Sequence, residues 1–317
     1  MKRQISFGLL IIALAFSNMV TGQLTPIKSF DFSLLEGKKL FIPTYEASQK
    51  FIAKMAKKGK LDEIEDAKAA AENYNKMWSE AMAESSYDDT DYEIKAFDAK
   101  SLMKAKDKEA MFLRLYQDDY GNRTASITVC SPKKQVIAST IINGLYLGDK
   151  NDIRLMINML NESLNTAAEI QDEGGSSRKD VKSKYKENVI TFYDGMKDKT
   201  FLVPESTHKN EKKRTERNAD LKIALKSWKL SNYEMTTEEV IEEKRVEGDE
   251  SSFYWRDFPI YTNSPLLTYH YNVILSCEGD DVLFGFLGKK RLKPATLEQI
   301  QTKIVNKAEK YKTQLGK

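Results

Sequence analysis

The 317-residue chain has only two histidines and two cysteines, so it is poor in the side chains that build catalytic triads and zinc sites. His208 lies in a polar run, His270 lies between two tyrosines, and neither has a partner at a ligand spacing. The chain also lacks a phosphate-binding glycine-rich loop, an EF-hand loop and a Gly-x-Ser-x-Gly motif. We therefore predict no catalytic residue, no metal site and no cofactor. His270 is interpreted as a strand residue whose polar tip is satisfied.

An excess of basic charge is also missing. The formal net charge is +3, and 48 basic and 47 acidic residues remain once Lys2 and Arg3 are set aside. A protein that binds nucleic acid usually has a clear basic excess or stripe. The one basic cluster, residues 209–217, contains interleaved glutamates and is interpreted as a solvated helix face. The sequence therefore predicts no nucleic-acid partner.

Long hydrophobic runs are absent except at the N-terminus. Lys2 and Arg3 precede an apolar run of about ten residues, 7–16, and small residues lie just before Gln23. A membrane helix needs roughly 20 apolar residues, so residues 1–22 are predicted to be a cleaved signal peptide. We expect an exported protein, periplasmic or extracellular, with no membrane span after cleavage.

The two cysteines mark a repeat. Each ends an apolar strand that runs into a tight turn and a second strand, at residues 125–141 and 271–287. A search for further matches finds an ordered series along the chain. The matched pairs are Pro43 with Pro204, Tyr92 with Tyr233, Arg114 with Arg256, and Cys130 with Cys277.

This series predicts an α/β (α+β) protein of two tandem homologous modules, each with a mixed sheet. Each module is expected to contain a strand, a helix, a strand, a short helix, a strand, a hairpin and a closing helix. The predicted bounds are 23–170 for the first module, 171–187 for a linker and 188–317 for the second module. The first copy is longer by about 20 residues, which are assigned to a helical hairpin within 51–82.

The order of elements resembles the module of curli-secretion lipoproteins and of lipoprotein activators of penicillin-binding proteins. The resemblance covers each repeat and implies a fold only, because one fold can carry many functions. The chain also has no cysteine at the cleavage point for a lipid, unlike those proteins.

Because the protein is expected to be exported, we consider three interpretations of its cysteines. A cysteine packs as a small apolar side chain, so we expect Cys130 and Cys277 to be free, mostly buried thiols. A disulfide between Cys130 and Cys277 is the alternative, but it needs Cα atoms within about 7 Å, which hairpins of separate domains seldom reach. A catalytic thiol would need an activating base, and the sequence shows none.

Carboxylates and aromatic residues supply the remaining candidates. Residues 238–243 are interpreted as a helix start and Asp280–Asp281 as a solvated turn. The aromatic run 253–261 contains the residue types that are enriched at binding hot spots. Its candidate binding residues are Tyr254, Trp255, Arg256 and Tyr261. The alternative is that the run packs the sheet or forms the contact between modules.

The sequence therefore favours an exported, non-enzymatic binding or scaffold protein, with an unidentified cell-envelope protein or glycan as its partner. The alternative is a hydrolase that uses acidic residues in a groove between the modules. A deep cleft with two convergent carboxylates of raised pKa would favour the hydrolase. A shallow surface with an aromatic patch would favour the binding protein.

Overall fold

The computed structural model describes most of the chain after residue 38. The described ranges are 39–87, 92–95, 110–129, 135–175, 178–262, 268–288 and 294–316. The predicted signal peptide, the short helix predicted at 98–106 and Cys130 lie outside them.

The described part of the first half of the chain contains five strands and three helices. Strand β1 is followed by the helical hairpin α1–α2, which accounts for the extra length predicted for the first copy. The elements are β1 (Lys39–Pro43), α1 (Gln49–Lys57), α2 (Leu61–Ala83), β2 (Tyr92–Lys95), β3 (Ala110–Gln117), β4 (Arg123–Val129), β5 (Gln135–Ile141) and α3 (Lys150–Asp172).

The second half repeats the order of the strands after one additional helix and a short 3₁₀ turn, with a single helix in place of the helical hairpin and a further helix between its second and third strands. The elements are α4 (Arg178–Gly195), β6 (Thr200–Pro204), α5 (Glu211–Leu225), β7 (Asn232–Thr236), α6 (Glu238–Glu247), β8 (Ser252–Tyr261), β9 (Thr268–Ser276), β10 (Val282–Gly288) and α7 (Pro294–Leu315). The 3₁₀ turn covers Met196–Asp198.

Both halves build the same five-stranded mixed sheet. The strand orders are β2-β1-β3-β4-β5 and β7-β6-β8-β9-β10. In each sheet the first strand pairs in parallel with the second and third, and the third, fourth and fifth pair antiparallel. The predicted fold class of two tandem similar α/β modules is confirmed.

The register of the strands places the matched sequence positions at the same points of the two sheets. Leu40 lies three residues before Pro43 and pairs with Tyr92, while Phe201 lies three before Pro204 and pairs with Tyr233. The third strands follow the same rule: Leu40 pairs with Met111, and Phe201 pairs with Phe253. The repeat is therefore structural and not an accident of composition.

A β-bulge also recurs at one position. In the first sheet the register shifts between Ile127 and Thr128, and in the second sheet the corresponding shift lies between Ile274 and Leu275. A bulge bends the strand that carries the extra residue and increases its twist. The last hairpin of each module thus has the same local bend.

The predicted linker is mostly helical. Helix α3 ends at Asp172, and α4 begins at Arg178 within the range 171–187. Tyr185 and Val189 of α4 are buried against Ile304 and other residues of the second module. The polar, glycine-containing stretch that suggested a linker thus covers only the connection between two helices, and the module boundary remains a prediction.

The buried apolar residues of the described ranges form two cores. One core contains apolar residues of α2, α3 and α6 together with residues of both sheets. The other lies on the far face of the second sheet, beneath α4, α5 and α7. The closing helices α3 and α7 are amphipathic, with predicted apolar faces at Ile153, Met156, Ile157, Leu160 and Leu164 and at Leu297, Ile300, Ile304, Ala308 and Tyr311. All of these side chains are buried except Tyr311, which is partly buried.

Lys307 of α7 lies over the aromatic part of the second core. Its ammonium nitrogen is 4.7 Å from the centroid of the Phe284 ring and donates a hydrogen bond of 3.4 Å to Tyr185 Oη. Burial lowers the pKa of Lys307 to about 8, and the charge of Lys303 on the previous turn adds to the effect.

This lysine is expected to react early with acylating reagents. Its amine is half deprotonated near pH 8, whereas an ordinary lysine titrates near 10.4. Mass spectrometry after brief acetylation should show a midpoint near pH 8 for Lys307. The exposed Lys310 on the same helix is the internal control. If acetylation of Lys307 and of Lys310 depended on pH in the same way, the claim that burial lowers the pKa of Lys307 would be contradicted.

Candidate functional site

Hydrogen bonds between residues far apart in the chain join the two modules. We call the contact between the modules the seam. Asn122, in the turn between β3 and β4, accepts a hydrogen bond from the backbone N–H of Tyr261 (2.7 Å) and donates to its carbonyl (2.9 Å). Asn143, which follows β5, donates to the carbonyl of Pro259 (2.6 Å). The end of β8 is therefore fixed to two loops of the first module.

Apolar contacts continue across the same seam. Tyr254, Phe258 and Ile260 of β8 belong to the core that contains α2 and α3. Gly144 has φ of +84° and lies under Pro259, where a Cβ atom would stand 3.1 Å from the proline Cδ. Glycine is therefore required at this position of the loop after β5, because its φ is positive and a side chain would press against Pro259.

Asp280 is the centre of a buried polar network at the seam. Its carboxylate accepts hydrogen bonds from Arg245 Nε (2.6 Å), Arg245 Nη2 (2.7 Å), Tyr254 Oη (2.7 Å) and Asn158 Nδ2 (2.8 Å). Burial alone would raise the pKa of Asp280, but the charge of Arg245 and these hydrogen bonds outweigh it and hold the pKa below its usual value. Asn158 belongs to α3, so the network joins the two modules.

A second carboxylate extends the network towards solvent. Glu242 of α6 pairs with Arg245 and with Nη2 of Arg154 on α3, the latter at 2.5 Å. Arg154 is 2% exposed and also lies 3.8 Å from Glu84. Burial raises the pKa of Glu242, against the opposing charges of Arg245 and Arg154. A buried arginine is tolerated only when it is paired, so these contacts hold α3 and α6 together.

A cleft of about 420 Å³ opens beside this network, between the N-terminal ends of α3 and α6. Arg256 lines it and pairs with Asp152 at 2.5 Å, while Asp152 also accepts a hydrogen bond from the backbone N–H of Tyr146 (2.7 Å). Glu239, in the first turn of α6, has a pKa lowered by its hydrogen bond with Thr237. In the cleft, arginines pair with Asp152 and Glu242, and Glu242 still has a raised pKa; the hydrolase alternative calls for two such convergent carboxylates.

A second cavity, of about 450 Å³, lies between α3, α4 and β10. Glu162 and Asp281 both line it, and both have a raised pKa, mainly because of burial. These residues come from different modules. This is the one pair of described carboxylates in a cavity whose pKa values are both shifted upward.

The structure separates the four predicted binding residues. Tyr254 is 2% exposed and belongs to the Asp280 network, while Arg256 lines the cleft. Trp255 packs on the opposite face of the sheet, where its Nε1 is buried without a hydrogen-bond partner among the described residues. Tyr261, at the end of β8, is 43% exposed. Tyr254 and Trp255 are successive residues and face opposite sides of the sheet, as strand geometry requires, and a shared binding role for the four remains a prediction.

Two further exposed tyrosines, which the sequence analysis does not select, lie in and just before the turn whose Asn122 binds the backbone of Tyr261. Tyr116 at the end of β3 is 51% exposed, and Tyr120 in the following turn is 57% exposed. The turn is closed by Asp118, which accepts hydrogen bonds from the backbone N–H groups of Tyr120 and Asn122, and Asn122 holds Tyr261. We call Tyr116, Tyr120 and Tyr261 the tyrosine edge.

The remaining polar candidates are the turn at Asp280–Asp281 and His270. Asp280–Asp281 forms the predicted turn, but the expectation that both residues are solvated is wrong, because Arg245 and Asn158 draw Asp280 into the interior, where it is 2% exposed. His270 is buried and contacts Asp257 Oδ2 through Nδ1 at 2.5 Å.

The cysteine prediction is tested at one of its two positions. Cys277 is free and buried as predicted, and burial raises the pKa of its thiol to about 12. A thiol with so high a pKa is a poor nucleophile. Whether Cys130 is also free lies outside the described residues.

Comparisons with protein-family models, with curated proteins and with solved structures find no match to this chain. The resemblance in the order of elements therefore remains a prediction. Within the described ranges, no helix has the length and apolar character to cross a bilayer. Among the same residues, no three metal-binding side chains are grouped as a metal site would require.

Proposed function

We propose that the protein is an exported, non-enzymatic binding or scaffold protein of the cell envelope, and that the tyrosine edge is its contact surface. The observation that carries this proposal is the exposure of Tyr116, Tyr120 and Tyr261 at one end of the seam. Tyrosine offers a large amphipathic surface with few rotatable bonds, and it is enriched at binding hot spots. The partner is a protein or a glycan, since both bind aromatic faces.

Neighbouring residues support a recognition role for this edge. The guanidinium of Arg114 lies 5.7 Å from the centroid of the Tyr116 ring. Arginine and tyrosine together are typical of the centre of an interface. Asn122 fixes the backbone of Tyr261 to the turn that carries Tyr120, so the backbone positions of these two tyrosines are set before binding, which reduces its entropic cost.

Export rests on the N-terminal pattern of residues 1–22, which lie outside the described residues. The non-enzymatic part of the proposal is supported by the cleft, where arginines pair with both Asp152 and Glu242, although burial raises the pKa of Glu242. The hydrolase alternative is favoured by one observation, the raised pKa values of Glu162 and Asp281 in the second cavity.

Site-specific photo-crosslinking in the exporting cell tests the contact surface. A benzophenone amino acid at position 120 is expected to give a discrete adduct. The same group at Ile223, which is 61% exposed on the far helical layer, is expected to give none. Adducts of equal yield at both positions, or none at position 120, would contradict the proposal.

Alanine substitution then measures the contribution of the ring. Once the adduct identifies the partner, Tyr120→Ala is expected to weaken its affinity about 10- to 30-fold, as for an interface hot spot. Tyr146→Ala is the matched control, because Tyr146 is 70% exposed and is not part of the tyrosine edge.

A further inference from the structure

The cavity between α3, α4 and β10 has a polar side and an apolar side. Glu162 and Glu169 of α3 and Asp281 before β10 supply carboxylates, while Phe192 and Leu283 supply apolar surface. Its volume of about 450 Å³ is large enough for a small organic ligand. It is separate from the tyrosine edge and from the Arg256 cleft.

Glu162 has an unsatisfied buried oxygen in this cavity. Its Oε2 is buried and has no hydrogen-bond partner among the described residues, and its Oε1 accepts one long hydrogen bond, 3.4 Å, from Thr166. An ionised carboxylate buried in this way is unstable unless a positive charge or further donors reach it. The carboxyl group of Glu162 therefore has an unmet requirement for a cation or a proton.

In the free protein a proton meets this requirement. Burial, followed by the charge of Asp281 and then of Glu169, raises the pKa of Glu162 to about 8. Burial also raises the pKa of Asp281, with contributions from Glu278, Asp280 and Glu169. The carboxylates thus repel one another across the cavity.

Two lysines lie near the cavity. Neither pairs with Glu162 or Asp281, so the repulsion between these two carboxylates is not relieved. Lys184 pairs with Glu169 (3.1 Å), which lines the cavity, and with Glu173 (2.9 Å), which follows α3. Lys199 lines the cavity but forms no ion pair with a described residue. Neither lysine hydrogen-bonds to Glu162 or Asp281 among these contacts.

We propose that this cavity binds an organic cation, a primary ammonium on a short alkyl chain, between the carboxylates of Glu162 and Asp281 and against Phe192 and Leu283. The ammonium supplies the missing positive charge and hydrogen-bond donors, and the chain contacts the apolar wall. Binding is an exchange: the carboxylic acid of Glu162 releases its proton to solvent, and the ammonium takes its place as the counter-ion. A metal ion fits less well, because no three ligands are grouped in the described residues.

The test is calorimetric titration of the full chain with butylammonium chloride between about pH 6 and pH 9. Because one proton leaves Glu162, the affinity is expected to rise about tenfold from pH 6 to pH 7 and to level off above pH 8. The apparent binding enthalpy should also depend on the ionisation enthalpy of the buffer. In Glu162→Gln, affinity at pH 9 is expected to fall at least about tenfold, and the pH dependence should disappear.

Three results would overturn the proposal. One is the absence of butylammonium binding to the wild type at pH 9, and another is an unchanged affinity in Glu162→Gln. The third is tighter binding of neutral 1-butanol than of butylammonium, with an affinity that falls as the pH rises through 8. That result would show that protonated Glu162 serves as a donor to a neutral ligand, as the hydrolase alternative requires. Asp194→Asn, at an exposed carboxylate on α4, is the control and should bind as the wild type does.

Discussion

Replacing Asp280 by asparagine is expected to lower the free energy of unfolding by about 3–5 kcal/mol, the cost of leaving one partner of a buried ion pair alone. Asparagine keeps the shape of the side chain and tolerates the left-handed backbone of this position, where φ is 60°. The loss therefore reports the charge that Arg245 requires. Equilibrium unfolding in urea measures it.

A surface pair provides the control for Asp280. Asp194→Asn removes the exposed pair with Lys312 and is expected to cost less than about 1 kcal/mol. Because the pKa of Asp280 is lowered in the folded protein, its stabilising contribution is present above the pKa of the unfolded state, near 3.9. That contribution is lost as the pH falls through the folded value. A loss in Asp280→Asn no larger than in Asp194→Asn would show that the network does not stabilise the seam.

Replacing Glu162 by glutamine is expected to have the opposite effect at high pH. The folded pKa of Glu162, about 8, exceeds its unfolded value, so the folded state holds an extra proton between pH 4.5 and 8. The stability of the wild type should therefore decline as the pH rises through that window. Glutamine does not ionise, so the variant should be more stable than the wild type at pH 9, by roughly 2–4 kcal/mol.

Urea unfolding at pH 5 and pH 9 tests this difference. Near pH 5 the wild-type carboxyl is protonated in the folded state, and the two proteins should have similar stability. The advantage of Glu162→Gln should grow between the two pH values. A constant difference, or a variant that is less stable at pH 9, would show that Glu162 is already ionised in the folded protein.

Much of the fold could be predicted because it depends on local patterns that occur twice. The apolar runs ending at Pro43 and Pro204 form equivalent central strands, and the strands carrying Arg114 and Arg256 occupy equivalent positions. Alternation along β8 predicted which side chains share a face. Periodicity reports how a segment faces its own sheet, so these features are visible in the sequence.

The sites could not be predicted, because their partners are far apart in the chain. Asp280 meets Asn158 across 122 residues, and Asn122 meets Tyr261 across 139. A turn containing two aspartates is ordinarily solvated, whereas here Arg245 of α6 and Asn158 of α3 bind Asp280 in the interior. The aromatic ring of Tyr254 makes it a binding candidate in the sequence, yet in the structure its hydroxyl donates a hydrogen bond to Asp280.

The central claim is that the two modules form one body, which keeps Tyr261 beside the turn of Tyr120. Single-tryptophan variants test it directly, because Trp78 lies in the core shared by both modules and Trp228 lies in the far core of the second. With the other two tryptophans changed to phenylalanine in each variant, urea unfolding is followed by fluorescence and by far-UV circular dichroism. We predict one transition per variant, coincident between the two probes. A Trp78 signal that changes at a different urea concentration from the circular dichroism, or two-step circular dichroism in either variant, would show that the modules unfold separately and contradict the account.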